Sequence, residues 1–136
     1  MAGEISYKAP AIDWETRAYW EGCGRHELVL QRCASCNTVQ HRPRALCVSC
    51  LSDEIRHFRA SGRGTVHSFT VTHQNQAPGF REALPYALAY VELEEGPRLL
   101  SNVVGFEPGA LRIGMPVIVE FVDTDGGLAV PRFRPA

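Results

Sequence analysis

Cys33-Ala34-Ser35-Cys36 and Cys47-Val48-Ser49-Cys50 decide how this chain is read: they are two Cys-x-x-Cys hooks separated by ten residues. Each hook offers two thiolates. Four thiolates gathered across one short loop suit a tetrahedral Zn²⁺ with metal–sulfur bonds about 2.3 Å long. The interval is shorter than the roughly 15–20 residues of the common two-hook pattern, which argues for a compact ribbon. Two disulfides, or four unrelated buried thiols, form the competing reading. A reducing compartment disfavours them, and the opening residues 1–8, which lack a basic flank followed by an apolar core, predict cytoplasmic location. A closed shell of sulfurs leaves no coordination position for substrate. Cys33, Cys36, Cys47 and Cys50 are therefore expected to hold a structural zinc ion that runs no chemistry.

Around the hooks, the chain of 136 residues fits a very small module joined to a domain of about a hundred. Hydrophobic residues at 45% and charged residues at 21% indicate neither disorder nor a membrane span. No apolar run approaches the ~18 residues a span needs. The net charge of −1 argues against a phosphate-backbone partner. The one basic cluster is local: Arg42 and Arg44, with Arg32, His41 and His57 near in sequence. It reads as a solvated ribbon surface in preference to a phosphate patch.

Before the hooks, residues 12–27 are predicted to form one short helix or two, with Asp13 or Thr16 as cap and Gly22 and Gly24 ending it. Trp14, Ala18 and Glu21 share one side, and Tyr19 and Trp20 add apolar area that serves either the core or a partner. Cys23 with His26 three residues on invites a nucleophile–base reading. No orienting acid or oxyanion donor accompanies the pair, so a buried, idle thiol is the preferred reading. Asn37 suits the left-handed turn that closes a knuckle; Leu51 departs from that preference.

After Ser52-Asp53-Glu54 the chain turns to Val, Thr, Phe and Tyr punctuated by Gly and Pro, which predicts five strands over 64–73, 85–93, 98–104, 116–123 and 128–133. Glu94-Glu95-Gly96-Pro97 and Asp125-Gly126-Gly127 make hairpins, and residues 107–114 leave room for a single helical turn. Ser61-Gly62-Arg63-Gly64 opens a strand, which predicts a bulge or bend in place of a phosphate loop. The period of two points Ala87, Ala89, Val91, Leu93, Val117, Val119 and Phe121 inward, with Leu99, Val103 and Phe133 completing the core. This pattern matches an OB-fold, with an SH3-like barrel or a split sandwich as rivals. The connection 74–84 is expected to present an exposed Phe80 beside Arg81. His67 and His73 are read as sharing one face of the first strand, packed or solvated in preference to ligating.

The helix around Trp20, the ribbon with Pro43-Arg44 inside it, Ser61-Gly62-Arg63-Gly64-Thr65-Val66, Leu84-Pro85-Tyr86-Ala87-Leu88-Ala89-Tyr90-Val91 and the terminal Pro131-Arg132-Phe133-Arg134-Pro135 together resemble the DUF35 family. The resemblance covers nearly the whole chain. It implies a mostly β protein: a helical segment over 1–30, a rubredoxin-like zinc ribbon over 31–58 and a five-stranded OB-fold barrel over 59–136. It also implies a non-catalytic accessory subunit in a hetero-oligomer with a thiolase-fold enzyme (thiolase, acyltransferase or aldolase), supporting acyl-CoA or acyl-transfer chemistry, with CoA contacted in some members. On that basis Trp20, Arg42, Arg44, Phe80, Arg81, Arg132 and Phe133 are expected to meet the partner or CoA. The residues themselves supply no nucleophile–base pair, no carboxylate pair and no open metal site, so no catalytic residue is assigned. A module for single-stranded nucleic acid is the main rival, with Tyr86, Tyr90, Phe69 and Arg98 to stack and pair. Glu92, Glu94, Glu95, Glu107, Glu120, Asp123 and Asp125 would repel a polyanion, which argues against that rival. A free-standing enzyme or acyl-CoA carrier using Cys23 or a histidine is the second rival.

Overall fold

The computed structural model describes residues 4–107 and 109–136. The N-terminal helix, α1, spans Arg17–Gly24, shorter than the sequence suggests. The reason is local: Asp13 Oδ1 accepts the Thr16 N–H at 2.9 Å, folding residues 13–16 into a turn ahead of the helix. Its other end closes with two bonds, Glu27 N–H to Gly22 O and His26 N–H to Cys23 O, both 2.8 Å. His26 takes the left-handed conformation (φ 60°) that such a closure requires.

The ribbon sheet has β1 (Val29–Cys33) at its centre, with β2 (Val39–Gln40) on one side and β3 (Ile55–Arg59) on the other, both antiparallel. The barrel consists of β4 (Arg63–Thr72), β5 (Tyr86–Leu93), β6 (Arg98–Val103), β7 (Pro116–Asp123) and β8 (Ala129–Pro135). Its closed order is β4-β5-β6-β8-β7, with β6 and β8 parallel at Val103 and Phe133. A parallel closure between non-consecutive strands is the Greek-key path of an OB-fold, not a run of hairpins. Gly62 makes the entry bend with φ 81°. Gly64 lets β4 lie against the Glu92 carbonyl of β5, where a Cβ would collide.

Between β6 and β7, where the sequence leaves room for a single helical turn, Ala110 N–H bonds Glu107 O at 2.9 Å; Pro108 lies outside the described residues. His67 and His73 do not pair on one face. The β4–β5 register shifts between Val66 and Ser68, so His67 sits at an irregularity, and His73 falls beyond the strand end.

One continuous core joins the parts. Tyr19 and Cys23 of α1, Leu28 and Leu30 of the ribbon, and Val66, Val91, Val103, Val117 and Phe133 of the barrel belong to the same buried cluster. Each of the leucine, valine and phenylalanine side chains among them stabilises the fold by about 1.5–3 kcal/mol on leaving water. The His26 ring stacks on Phe121 at 5.4 Å between centroids and meets Asp123 Oδ1 at 2.7 Å, fastening the end of α1 to β7. His26 is therefore turned away from the role of base for Cys23.

Candidate functional site

The two hooks fold as matching knuckles. Asn37 N–H returns to Cys33 O at 2.8 Å and Leu51 N–H to Cys47 O at 3.0 Å; Cys33 N–H reaches Thr38 O and Cys47 N–H reaches Ser52 O, both at 2.9 Å. Both turns need a left-handed residue, and both get one: Asn37 at φ 65° and Leu51 at φ 64°. For leucine that geometry costs about 1–2 kcal/mol.

The knuckles bring the Sγ atoms of Cys33, Cys36, Cys47 and Cys50 within 4.8 Å of one another. Across the hooks, Cys33–Cys50 and Cys36–Cys47 are each separated by 3.6 Å. A zinc ion with tetrahedral bonds of about 2.3 Å demands sulfur–sulfur edges of about 3.8 Å, so the cluster fits the ion. Backbone N–H groups of Cys36 and Ser35 pull the Cys33 thiol below its ordinary value. Those of Cys50 and Ser49 bring Cys47 down to about 6. The Ser52 N–H favours the Cys50 thiolate, yet the neighbouring Cys33 and Cys36 sulfurs push that thiol up to about 12. Gathered negative charge of this kind is relieved by a divalent cation.

Two buried glutamines, which sequence reasoning missed, shape the loop between the hooks. Gln31 Oε1 accepts from Gln40 Nε2 at 2.7 Å and from Arg44 N–H at 2.9 Å, while Gln31 Nε2 donates to Arg44 O at 3.0 Å. Gln40 Nε2 also donates to Leu46 O at 3.3 Å, and Gln40 Oε1 accepts from Val48 N–H at 3.0 Å. Their signal in the sequence was faint: a glutamine on each of two short strands flanking a hook.

Beside the ribbon lies a groove of about 560 Å³ between α1 and the hook loop on one side and the outer wall of β5 and β6 on the other. Trp20, His41, Arg42 and Phe80 line it with Tyr90 and Arg98. Burial, with the charges of Arg42 and Arg44, lowers His41 to about 4, so its imidazole is neutral at pH 7. Arg98 is paired with Glu92 at 3.5 Å, which weakens the basic track that nucleic acid would need.

The expected contact residues separate into groups. Trp20, Arg42 and Phe80 come together at the groove. Phe80 is not the exposed side chain anticipated: it packs against Tyr7 and Tyr86, with ring centroids at 6.1 and 5.7 Å. Arg44 is exposed outside the groove, and Arg81 is exposed and bonded to Glu82 at 2.9 Å. Arg132 is held by Glu120 at 2.6 Å with 13% of its side chain exposed. Phe133 is 0% exposed; the alternation of β8 sends it into the core, as the strand pattern predicts, and its second expected role as a partner or CoA contact is corrected. Cys23 is fully buried, and desolvation pushes its thiol up to about 12, far from a nucleophile's range.

Two domain families match this arrangement: the ChsH2 rubredoxin-like zinc ribbon domain over residues 20–56 and the ChsH2 C-terminal OB-fold domain over residues 58–122. A DUF35 domain-containing scaffold protein of Methanocaldococcus jannaschii is 36% identical over 99 residues, which is 71% of this chain and 69% of the relative. The chain belongs to the DUF35 family. Among solved structures, a chain of the Ltp2-ChsH2(DUF35) aldolase matches this DUF35 chain with a TM-score of 0.83 and 40% identity, over 93% of this chain and 98% of that one. The probable enoyl-CoA hydratase alpha subunit of Thermomonospora curvata is 41% identical over 127 residues, 93% of the DUF35 chain. That match spans only 39% of the hydratase subunit's own length. Among the described residues no helix is long and apolar enough to cross a membrane.

Proposed function

We propose that this DUF35 chain is a non-catalytic scaffold subunit that docks on a thiolase-fold enzyme and supports its acyl-CoA or acyl-transfer chemistry. The observation that carries the reading is its likeness, at 40% identity and over 98% of the counterpart, to a chain of an aldolase assembly. Cys33, Cys36, Cys47 and Cys50 are the ligands of one structural zinc ion, which fixes the ribbon. The buried Cys23 thiol and the turned-away His26 give the chain no nucleophile–base pair at these positions, leaving acyl chemistry to the partner.

The finer reading concerns CoA. A groove of about 560 Å³ is in the range of small-molecule sites, roughly 300–1,000 Å³. Arg42 offers a cation for a phosphate and Trp20 an aromatic face, so CoA held by the complex meets this chain there.

The test is co-expression with thiolase-fold enzymes, followed by size-exclusion chromatography with light scattering and acyl-CoA turnover assays. A stable hetero-oligomer whose turnover depends on this chain, together with no turnover by the chain alone, is the expected result. A monomer that never co-elutes with any such enzyme refutes it. Calorimetry of the complex with CoA, with and without Arg42→Ala, tests the groove separately.

A further inference from the structure

The two knuckles share one backbone and differ in two side chains that face water. Where the first carries Ala34 and Asn37, the second carries Val48 and Leu51. Val48 is 64% exposed and Leu51 72%, and Leu46 just ahead of them is 46% exposed. Metal binding asks nothing of these positions, because the sulfurs alone meet the ion. Core packing asks nothing either, since the side chains are in solvent. The backbone at φ 64° opposes a leucine and would favour asparagine, the residue the twin position holds. Folding therefore does not account for an apolar tip on one knuckle only.

We infer, resting on the scaffold reading above, that this second knuckle is the tip by which the chain docks. Leu46, Val48 and Leu51 enter an apolar pocket on the partner enzyme whose rim carries a carboxylate for Arg44. Charge selects this occupant. Gln31 brackets the Arg44 backbone, yet among the described residues the Arg44 guanidinium forms no ion pair and reaches only Pro43 O at 3.4 Å. An unneutralised arginine on a fixed stretch of backbone beside an apolar tip complements an acidic rim. An anionic lipid surface, negative over its whole face, is a poorer fit than a single rim carboxylate, because exposed Asp53 and Glu54 lie two and three residues past Leu51. Glu15 Oε2 accepts the Ala45 N–H at 2.9 Å, bringing the segment of Trp14, itself 73% exposed, to the same loop. Exposed tryptophan is a frequent anchor of interfaces.

The test compares wild type with Leu51→Asn, Val48→Ser and, in the first knuckle, Ala34→Ser, in binding to the thiolase-fold enzyme that co-elutes with wild type. Each variant is checked for one zinc per chain, and Leu51→Asn should melt at the same or a higher temperature. Affinity should fall about tenfold or more for Leu51→Asn and for Val48→Ser. Ala34→Ser should change it by less than about twofold. Unchanged affinity in the second-knuckle variants overturns the inference while leaving the scaffold reading intact. A wild type that binds no thiolase-fold enzyme overturns both. Wild-type sedimentation with phosphatidylcholine–phosphatidylserine vesicles, or a wild-type homodimer, lost in Leu51→Asn, also overturns it by assigning the tip to lipid or to a second copy.

Discussion

Replacing Gln40 by leucine isolates what the buried glutamine pair contributes. The substitution nearly conserves volume and touches no sulfur, but it deletes three hydrogen bonds: to Gln31 Oε1 at 2.7 Å, to Leu46 O at 3.3 Å and from Val48 N–H at 3.0 Å. At about 1 kcal/mol net for each bond the direct loss is about 3 kcal/mol. The added apolar burial of leucine returns part of this, at roughly 25 cal/mol per Å². A net destabilisation of about 2–3 kcal/mol is expected, a large share of the 5–15 kcal/mol typical of a domain. Urea unfolding of the zinc-loaded protein measures it as a lowered midpoint with unchanged slope. Hydrogen exchange supplies the local signature: the Val48 amide should lose protection, while the amides of β5 and β6 keep theirs. A loss below about 1 kcal/mol, or a Val48 amide as protected as before, would show that the hook loop is not held by these glutamines.

Further outcomes follow from the same contacts. Stripping zinc with a chelator, or Cys47→Ser, should unfold the ribbon and lower the melting temperature of the whole chain, because Leu28 and Leu30 sit in the shared core; a metal-free chain with an unchanged melt contradicts this. His41, lowered from 6.5 to about 4 by burial, binds its proton more weakly folded than unfolded. Its contribution is therefore complete above pH 6.5 and is lost as pH falls toward 4, by up to about 3 kcal/mol at 1.36 kcal/mol per unit. NMR titration of the His41 ring checks the value, and His41→Asn should flatten that part of the pH–stability curve. Gly79→Ala, at φ 90° and with a Cβ driven into the Ser6 carbonyl, should break the Ser6 N–H to Gly79 O bond. A loss of at least about 1–2 kcal/mol is expected, read as faster proteolysis near residue 6.

What was legible in the sequence was whatever acts over short separations. The hooks are local, so their spacing sufficed; the barrel strands announce themselves through alternation, and Ala87, Ala89, Val91 and Leu93 are buried as that alternation implies. The same rule contained the correction for Phe133. Flanked by Arg132 and Arg134 it resembles a surface contact, yet a period of two that puts arginines outward puts the phenylalanine inward. Phe80 was a different kind of miss: its cover comes from Tyr7, whose hydroxyl donates to Asn102 Oδ1 at 2.7 Å, and no local pattern reports a segment that distant. Gln31 and Gln40 were hidden because a buried glutamine and a solvated one look alike until the carbonyls and N–H groups that need them are in place.

Leu51 is the informative case. Local preference spoke against a leucine after the second hook, and the structure keeps the left-handed turn with the leucine in it. When local preference and observed geometry disagree at a buried position, packing commonly resolves the conflict; at a position 72% exposed, packing within the chain has nothing to offer. Asparagine in the twin position shows that the fold has a cheaper solution available. The residue that sequence reasoning could only note as a departure thus becomes, once its exposure and conformation are known, the place where selection for something other than folding is most visible.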